Sequence, residues 1–173
     1  MKSTVKRYGL YGAATLIVLS FLAWFIGKGR DLDYGAQELI GYATIVVALS
    51  FVFFGIKHFR DRENNGSVSF GQALKIGVLI SLITGLTFGV LDIIYKMIYP
   101  DFIAEYYAAM VEQARASVPA DQLDAKLAEM ESQKELFSNP ILSFLLMAVT
   151  VLVIGFIVSL LSSLVLQRKK IMS

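Results

Sequence analysis

The sequence predicts an all-α membrane protein, with four transmembrane helices and an extracytoplasmic amphipathic helical hairpin between the third and fourth. Three observations carry that prediction. Of 173 residues, 56% are hydrophobic and only 17% charged, and a mean hydropathy of +0.63 is too high for a water-soluble fold of this length. Four apolar runs, at 8–26, 36–56, 73–99 and 140–166, are each long enough for the ~20 residues that cross a bilayer core. The charges gather outside the runs, and the last run contains none. A chain of this length suits one domain, so residues 1–173 read as a single membrane domain with a helical insert at 101–139.

The first run follows Lys2, Lys6 and Arg7, the arrangement that opens a signal peptide. It exceeds the ~7–15 apolar residues of such a peptide and lacks an A-x-A-like cleavage site, so it reads as a retained anchor. GKGRDLDYG then marks a turn through its Gly and Asp residues. The second run returns with Gly41, Ala48 and Gly55 at heptad spacing, small residues suited to close helix contact. It ends in the polar KHFRDRENNGSV, whose Asn65-Gly66 pair is a turn signal.

The third helix opens on Ser69-x-x-Gln72, a capping box in which the serine oxygen covers a free backbone N–H. Carried to residue 99 it would be ~45 Å long, against ~30 Å of hydrocarbon. Either its first turns, with Gln72 and Lys75, lie in the interface or the helix tilts. Tyr99-Pro100-Asp101 marks a break or kink, because proline has no N–H to donate and restricts the residue before it. Residues 101–139 are acidic and alanine-rich. Phe102, Tyr106, Ala109 and Met110 share one helical face there, and Leu123, Leu127, Met130 and Phe137 share another after the Ser117-Val118-Pro119 break. Two amphipathic helices are expected. Asn139-Pro140 starts the fourth span, which closes on the basic QRKK.

Orientation follows the basic residues. Ten of the sixteen fall in the N-terminus, the 57–75 loop and the C-terminal tail, with Asp61 and Glu63 as the only acids there. Six basic and twelve acidic residues occupy the other side. Both termini are therefore expected in the cytoplasm, and the 101–139 hairpin outside it.

The polar turn and helix entry FRDRENNGSVSFGQALKIG, the acidic YYAAMVEQARAS and the basic C-terminal end together resemble the bacterial family catalogued as domain of unknown function 4199. The resemblance spans essentially the whole chain. It implies a four-span protein of the bacterial inner membrane and supplies no activity for any residue.

Candidate sites come from the residues themselves. Ala73, Gly77, Ser81, Gly85 and Gly89 recur every fourth position, and Gly155, Ser159 and Ser163 form a matching ridge in the fourth span. Helices in lipid gain little from hydrophobic burial and associate through close packing at small residues, so these two ridges are expected to meet in antiparallel packing. Asp92 and Lys96 lie four apart, acid first, and can pair on one face. Intramembrane charges are functional candidates by default, but this pair sits close to the end of its span, which favours an interfacial ion pair over a relay.

His58 stands alone as the only histidine, a poor basis for a metal site, and is expected in solvent or against headgroups. Tyr8, Tyr11, Trp24, Phe25, Tyr34, Phe59, Tyr95 and Tyr99 cluster at span ends, as interfacial aromatics do. The chain has no cysteine, which excludes thiolate chemistry and disulfides. It has no phosphate loop, no H-E-x-x-H and no G-x-S-x-G.

The expectation is a non-enzymatic component of the bacterial inner membrane, a four-helix bundle without cofactor or metal, acting through protein contacts. Leu123, Leu127 and Met130 of the hairpin are the expected partner face. The expected partners are the lipid bilayer and another membrane or extracytoplasmic protein, with a homo-oligomer allowed and nucleic acid excluded. The alternative is a small transporter or channel using Asp92 with Ser81, Thr84 and Thr87.

Overall fold

A computed structural model describes residues 1–27 and 34–168. Every regular element among them is helical: α1 (Lys2–Gly27), α2 (Tyr34–His58), α3 (Phe70–Ile98), α4 (Phe102–Ser117), α5 (Ala120–Ser138) and α6 (Pro140–Leu166). A π-helical turn, Phe59–Glu63, continues α2. Helices α1, α2, α3 and α6 are long and apolar enough to cross a membrane, which by length and composition makes this a multi-pass membrane protein. The turn expected between the first two spans and the end of QRKK, at Lys169 and Lys170, lie outside the described residues.

The helix boundaries have local causes. At the start of α3 the capping box is formed, with Gln72 N–H donating to Ser69 Oγ at 3.3 Å and Ser69 N–H to Gln72 Oε1 at 3.3 Å. At the start of α6, Asn139 Oδ1 accepts from the N–H groups of Ile141 and Leu142, at 3.0 and 3.2 Å. Both caps cover amides that have no partner within the first helical turn. Between α2 and α3 the chain reverses through Asn65 (φ 51°) and Gly66 (φ 77°), a left-handed pair that asparagine and glycine adopt at least cost.

The chain divides into two compact units, one of residues 1–88 and 147–173, the other of residues 89–146. In the first, α1, α2, α3 and α6 bury Leu16, Leu49, Val52, Ile56, Ile76, Ile80 and Val151. An antiparallel backbone bridge joins Val68 to Arg168, with N–H···O distances of 3.1 and 2.9 Å. The buried Arg60 donates to the Leu166 carbonyl at 3.4 Å, a cation at a helix C-terminus where the carbonyl dipoles favour one. In the second unit α4 and α5 pack around Tyr107, Ala114 and Met130.

Candidate functional site

The small residues of α3 and α6 meet in antiparallel order. A Cβ added to Gly77 would fall 2.5 Å from Ser159 Oγ, and one added to Gly155 would fall 2.5 Å from Ser81 Cβ. Further along, a Cβ on Gly85 would lie 2.8 Å from the Ala148 carbonyl oxygen. Within the second unit, one on Gly89 would lie 2.6 Å from the Phe144 ring. Ala73 and Ser163 are also fully buried.

The hydroxyls along these ridges turn back onto their own helices. Ser81 donates to the Gly77 carbonyl, Thr84 to Ile80, Ser159 to Gly155 and Ser163 to Ser159, at 2.9, 3.2, 2.6 and 2.6 Å. Such i−4 bonding satisfies a buried hydroxyl without a partner helix. Thr87 does the same with Ile83 at 2.9 Å.

Sequence spacing singled out Gly41 and Gly55 of α2 alike, but the structure separates them. Gly55 abuts Ile80 and Tyr8, whereas a Cβ on Gly41 would meet nothing within 4 Å. Gly9 and Gly12 of α1 belong to no period-four ridge, yet they press on Ile83, and on Thr84 and the Ala48 carbonyl.

The charged pair of the second unit has more partners than spacing implied. Lys96 Nζ lies 2.9 Å from Asp92 Oδ2, with the two side chains 18% and 14% exposed. It also donates to the Phe137 carbonyl of α5 at 3.0 Å and to Ser143 Oγ of α6. Ser143 in turn donates to Asp92 Oδ2 at 2.7 Å. The three N–H groups of the ammonium thus meet three acceptors, from α3, α5 and α6. The Phe137 ring centroid lies 5.8 Å from Nζ.

Ser143 is the residue that sequence reading missed. Its only signal was a hydroxyl in the opening turn of an uncharged helix, at a chain depth matching Asp92 on the other side of the insert. A serine beside a lysine also invites a nucleophile–base reading. The bonding opposes it: Lys96 donates to Ser143, Ser143 donates to the carboxylate, and Ser143 is fully buried.

The structure corrects the expected partner face. Met130 is 4% exposed, and Leu123 and Leu127 pack with it against α4, beside Tyr107, Val111 and Ala114. The apolar stripe of α5 is covered by that of α4, so these three residues are the hairpin's own core. Burial, and next the neighbouring Tyr106, push the Tyr107 phenol above its ordinary value. The faces turned outward carry Glu105, Glu112, Asp121, Asp124, Glu131 and Glu135.

His58 belongs to a small cluster in the first unit. Its ring lies 5.5 Å from that of Tyr8, and Nε2 is 3.8 Å from Glu63 Oε1. Thr4, itself buried, donates to the same carboxylate oxygen at 2.5 Å. Among the described residues no group of three or more His, Asp or Glu side chains is placed to hold a metal ion.

A family model described as "Protein of unknown function (DUF4199)" matches residues 7–168. No curated protein and no solved structure matches the chain.

Proposed function

This chain belongs to the DUF4199 family, and we propose that it is a non-enzymatic component of the bacterial inner membrane that works through protein contacts. In this reading the four apolar helices form a bundle with both termini in the cytoplasm. The α4–α5 hairpin stands on the extracytoplasmic side, where it meets another membrane or extracytoplasmic protein or a second copy of the chain. Ten basic residues on one side of the spans against six on the other support that orientation.

The observation that carries the reading is the hairpin. It closes its own apolar seam and turns its carboxylates outward, so its contact surface is acidic and polar, and the partner it suits is basic. The polar groups of the spans favour the same reading over transport. The ridge hydroxyls return to their own carbonyls, and Asp92 is already held by Lys96 and Ser143.

The test compares three variants at matched expression. Asp124→Lys/Glu135→Lys reverses charge on the exposed face of α5 and leaves its seam intact. It is expected to remove a discrete cross-linked adduct that a photo-reactive residue placed at Glu112 forms in wild type. Asp92→Asn is expected to keep that adduct, and a photo-reactive residue at the apolar, outward-facing Val153 is expected to give none. Retention of the adduct by the charge-reversal variant would count against the acidic face. Loss of a solute flux with Asp92→Asn, in a protein still folded and inserted, would put the transporter reading in its place.

A further inference from the structure

We infer that the basic end of the first unit carries a headgroup site for an anionic phospholipid, in the cleft beside Arg168. The surround is cationic. Lys2, Lys6 and Arg7 on α1, Lys57 at the end of α2, Arg62 in the π turn and Lys75 on α3 are all exposed. The two carboxylates among them are already engaged. Asp61 holds Arg60 through both oxygens, at 2.6 and 3.1 Å, and Glu63 accepts from Thr4. The Asp61 side chain is still 38% exposed, so what faces outward is positive in balance, six cations to two engaged carboxylates.

Within that surface lies a cleft lined by Asn64, Asn65, Ser67, Gln72, Gln167 and Arg168. Its walls are held in place. The Val68–Arg168 bridge fixes one side, the Asn64 amide donates to the Ser67 carbonyl at 2.7 Å, and the Ser69–Gln72 box fixes the other. Arg168 is exposed, and its charge acts on the neighbouring Asp61 carboxylate, whose own hydrogen bonds come from Arg60. A guanidinium of this kind offers paired N–H donors to two oxygens of one phosphate. The side-chain amides of Asn65 and Gln72 add groups that donate to, and accept from, headgroup hydroxyls.

Depth selects a lipid over a free anion. The cleft sits where α2 ends, α3 begins and α6 ends, at the termini of three apolar spans, which is headgroup level. Val165, just short of Arg168, is 72% exposed and continues the path along an apolar helix surface suited to an acyl chain. The cationic surround disfavours a choline ammonium. The ligand class is therefore an anionic phospholipid with a hydroxyl-bearing headgroup, of which phosphatidylglycerol is the working probe. Such a site stands whichever way the chain is oriented, since both leaflets have headgroups, and whatever the hairpin meets.

The experiment uses the full chain in mixed micelles and reads lipid-induced shifts of the unfolding midpoint together with lipid adducts in native mass spectrometry. Dioleoyl-phosphatidylglycerol should stabilise the wild type, whereas dioleoyl-phosphatidylcholine and inorganic phosphate should not. Arg168→Gln should weaken the apparent phosphatidylglycerol affinity about ten-fold or more, the size expected when a charged hydrogen-bond donor to phosphate is lost. Asn65→Gly keeps the left-handed turn, removes an amide and should weaken it further when combined with Arg168→Gln. Lys75→Gln removes the same charge outside the cleft and should leave the affinity within about two-fold.

Equal losses for Arg168→Gln and Lys75→Gln would reduce the site to diffuse charge attraction and overturn the inference. So would equal stabilisation by phosphatidylcholine, or a full shift with inorganic phosphate alone. Shifts are compared with each variant's own lipid-free midpoint, so a variant of lower basal stability still reports.

Discussion

Lys96 meets its three acceptors from three helices, and the consequences of removing it differ from those of removing its partner. Lys96→Met leaves the Asp92 carboxylate with a donor in the Ser143 hydroxyl but no cation, in a place 14% exposed. Breaking one side of a largely buried pair costs about 3–5 kcal/mol. Asp92→Asn keeps an amide oxygen that still accepts from Lys96, so its cost should be smaller, about 1–2 kcal/mol. The double variant Asp92→Asn/Lys96→Met should recover part of what Lys96→Met alone loses, a coupling that a double-mutant cycle measures. Thermal unfolding in detergent reads all three. Additive losses would mean that the two side chains do not act as a pair. Spacing alone made this pair legible. Ser143 and the Phe137 carbonyl were not, because their approach depends on where an insert of some forty residues returns the chain.

At the scale of elements, the same substitution should have opposite effects at two glycines. Gly41→Ala adds a methyl group where nothing lies within 4 Å, and should stabilise α2 by about 0.5–1 kcal/mol through helix propensity. Gly85→Ala drives a methyl group into the Ala148 carbonyl. Backbone cannot rotate aside as a side chain can, so the helices must part, at a cost of about 1–3 kcal/mol. Gly77→Ala meets the Ser159 side chain instead, and Ser159→Gly should rescue it. Equal unfolding midpoints for Gly41→Ala and Gly85→Ala would contradict the α3–α6 contact. The period-four ridges of α3 and α6 could be read because each residue of the row repeats the same chemistry. Gly41 and Gly55 share a register, and no spacing rule tells which end of α2 is covered.

The hairpin makes a related point. Its sequence marks an apolar seam on α5 but not the surface that covers it, and α4 is that cover. Leu123→Ser/Leu127→Ser should therefore melt the hairpin, seen as a loss of helical circular dichroism. The same change would leave the helicity intact if the seam were a free docking face.

For the whole molecule, the four spans followed directly from hydropathy, because a bilayer demands long apolar helices and tolerates little else. Their orientation rests on charge, and it can be tested on a chain that has no native cysteine. A cysteine at Ser132, exposed on α5, should react with an impermeant thiol reagent in cells whose outer envelope admits it. One at Asn65 should react only after the inner membrane is opened. The reverse pattern would invert the protein and move the acidic hairpin to the cytoplasm.

The first unit has a further consequence, concerned with the order in which the chain is made. It is built from residues 1–88 and 147–173, while the second unit is one continuous stretch, residues 89–146. During synthesis the hairpin helices have every partner of their own seam once residue 138 has emerged. The earlier helices do not. Gly77 and Ser81 wait for Ser159 and Gly155, Arg60 waits for the Leu166 carbonyl, and Val68 waits for Arg168, a hundred residues later. Until then α3 stands in the membrane with an open groove along its small residues, and Arg60 lacks its carbonyl acceptor. A nascent chain halted before α6 is thus a half-built object, exposed to membrane proteases and to any factor that shields unpaired helices. Chains stalled at residue 139 should be cleared from cells faster than chains released at full length, and supplying α6 as a separate peptide should slow that clearance.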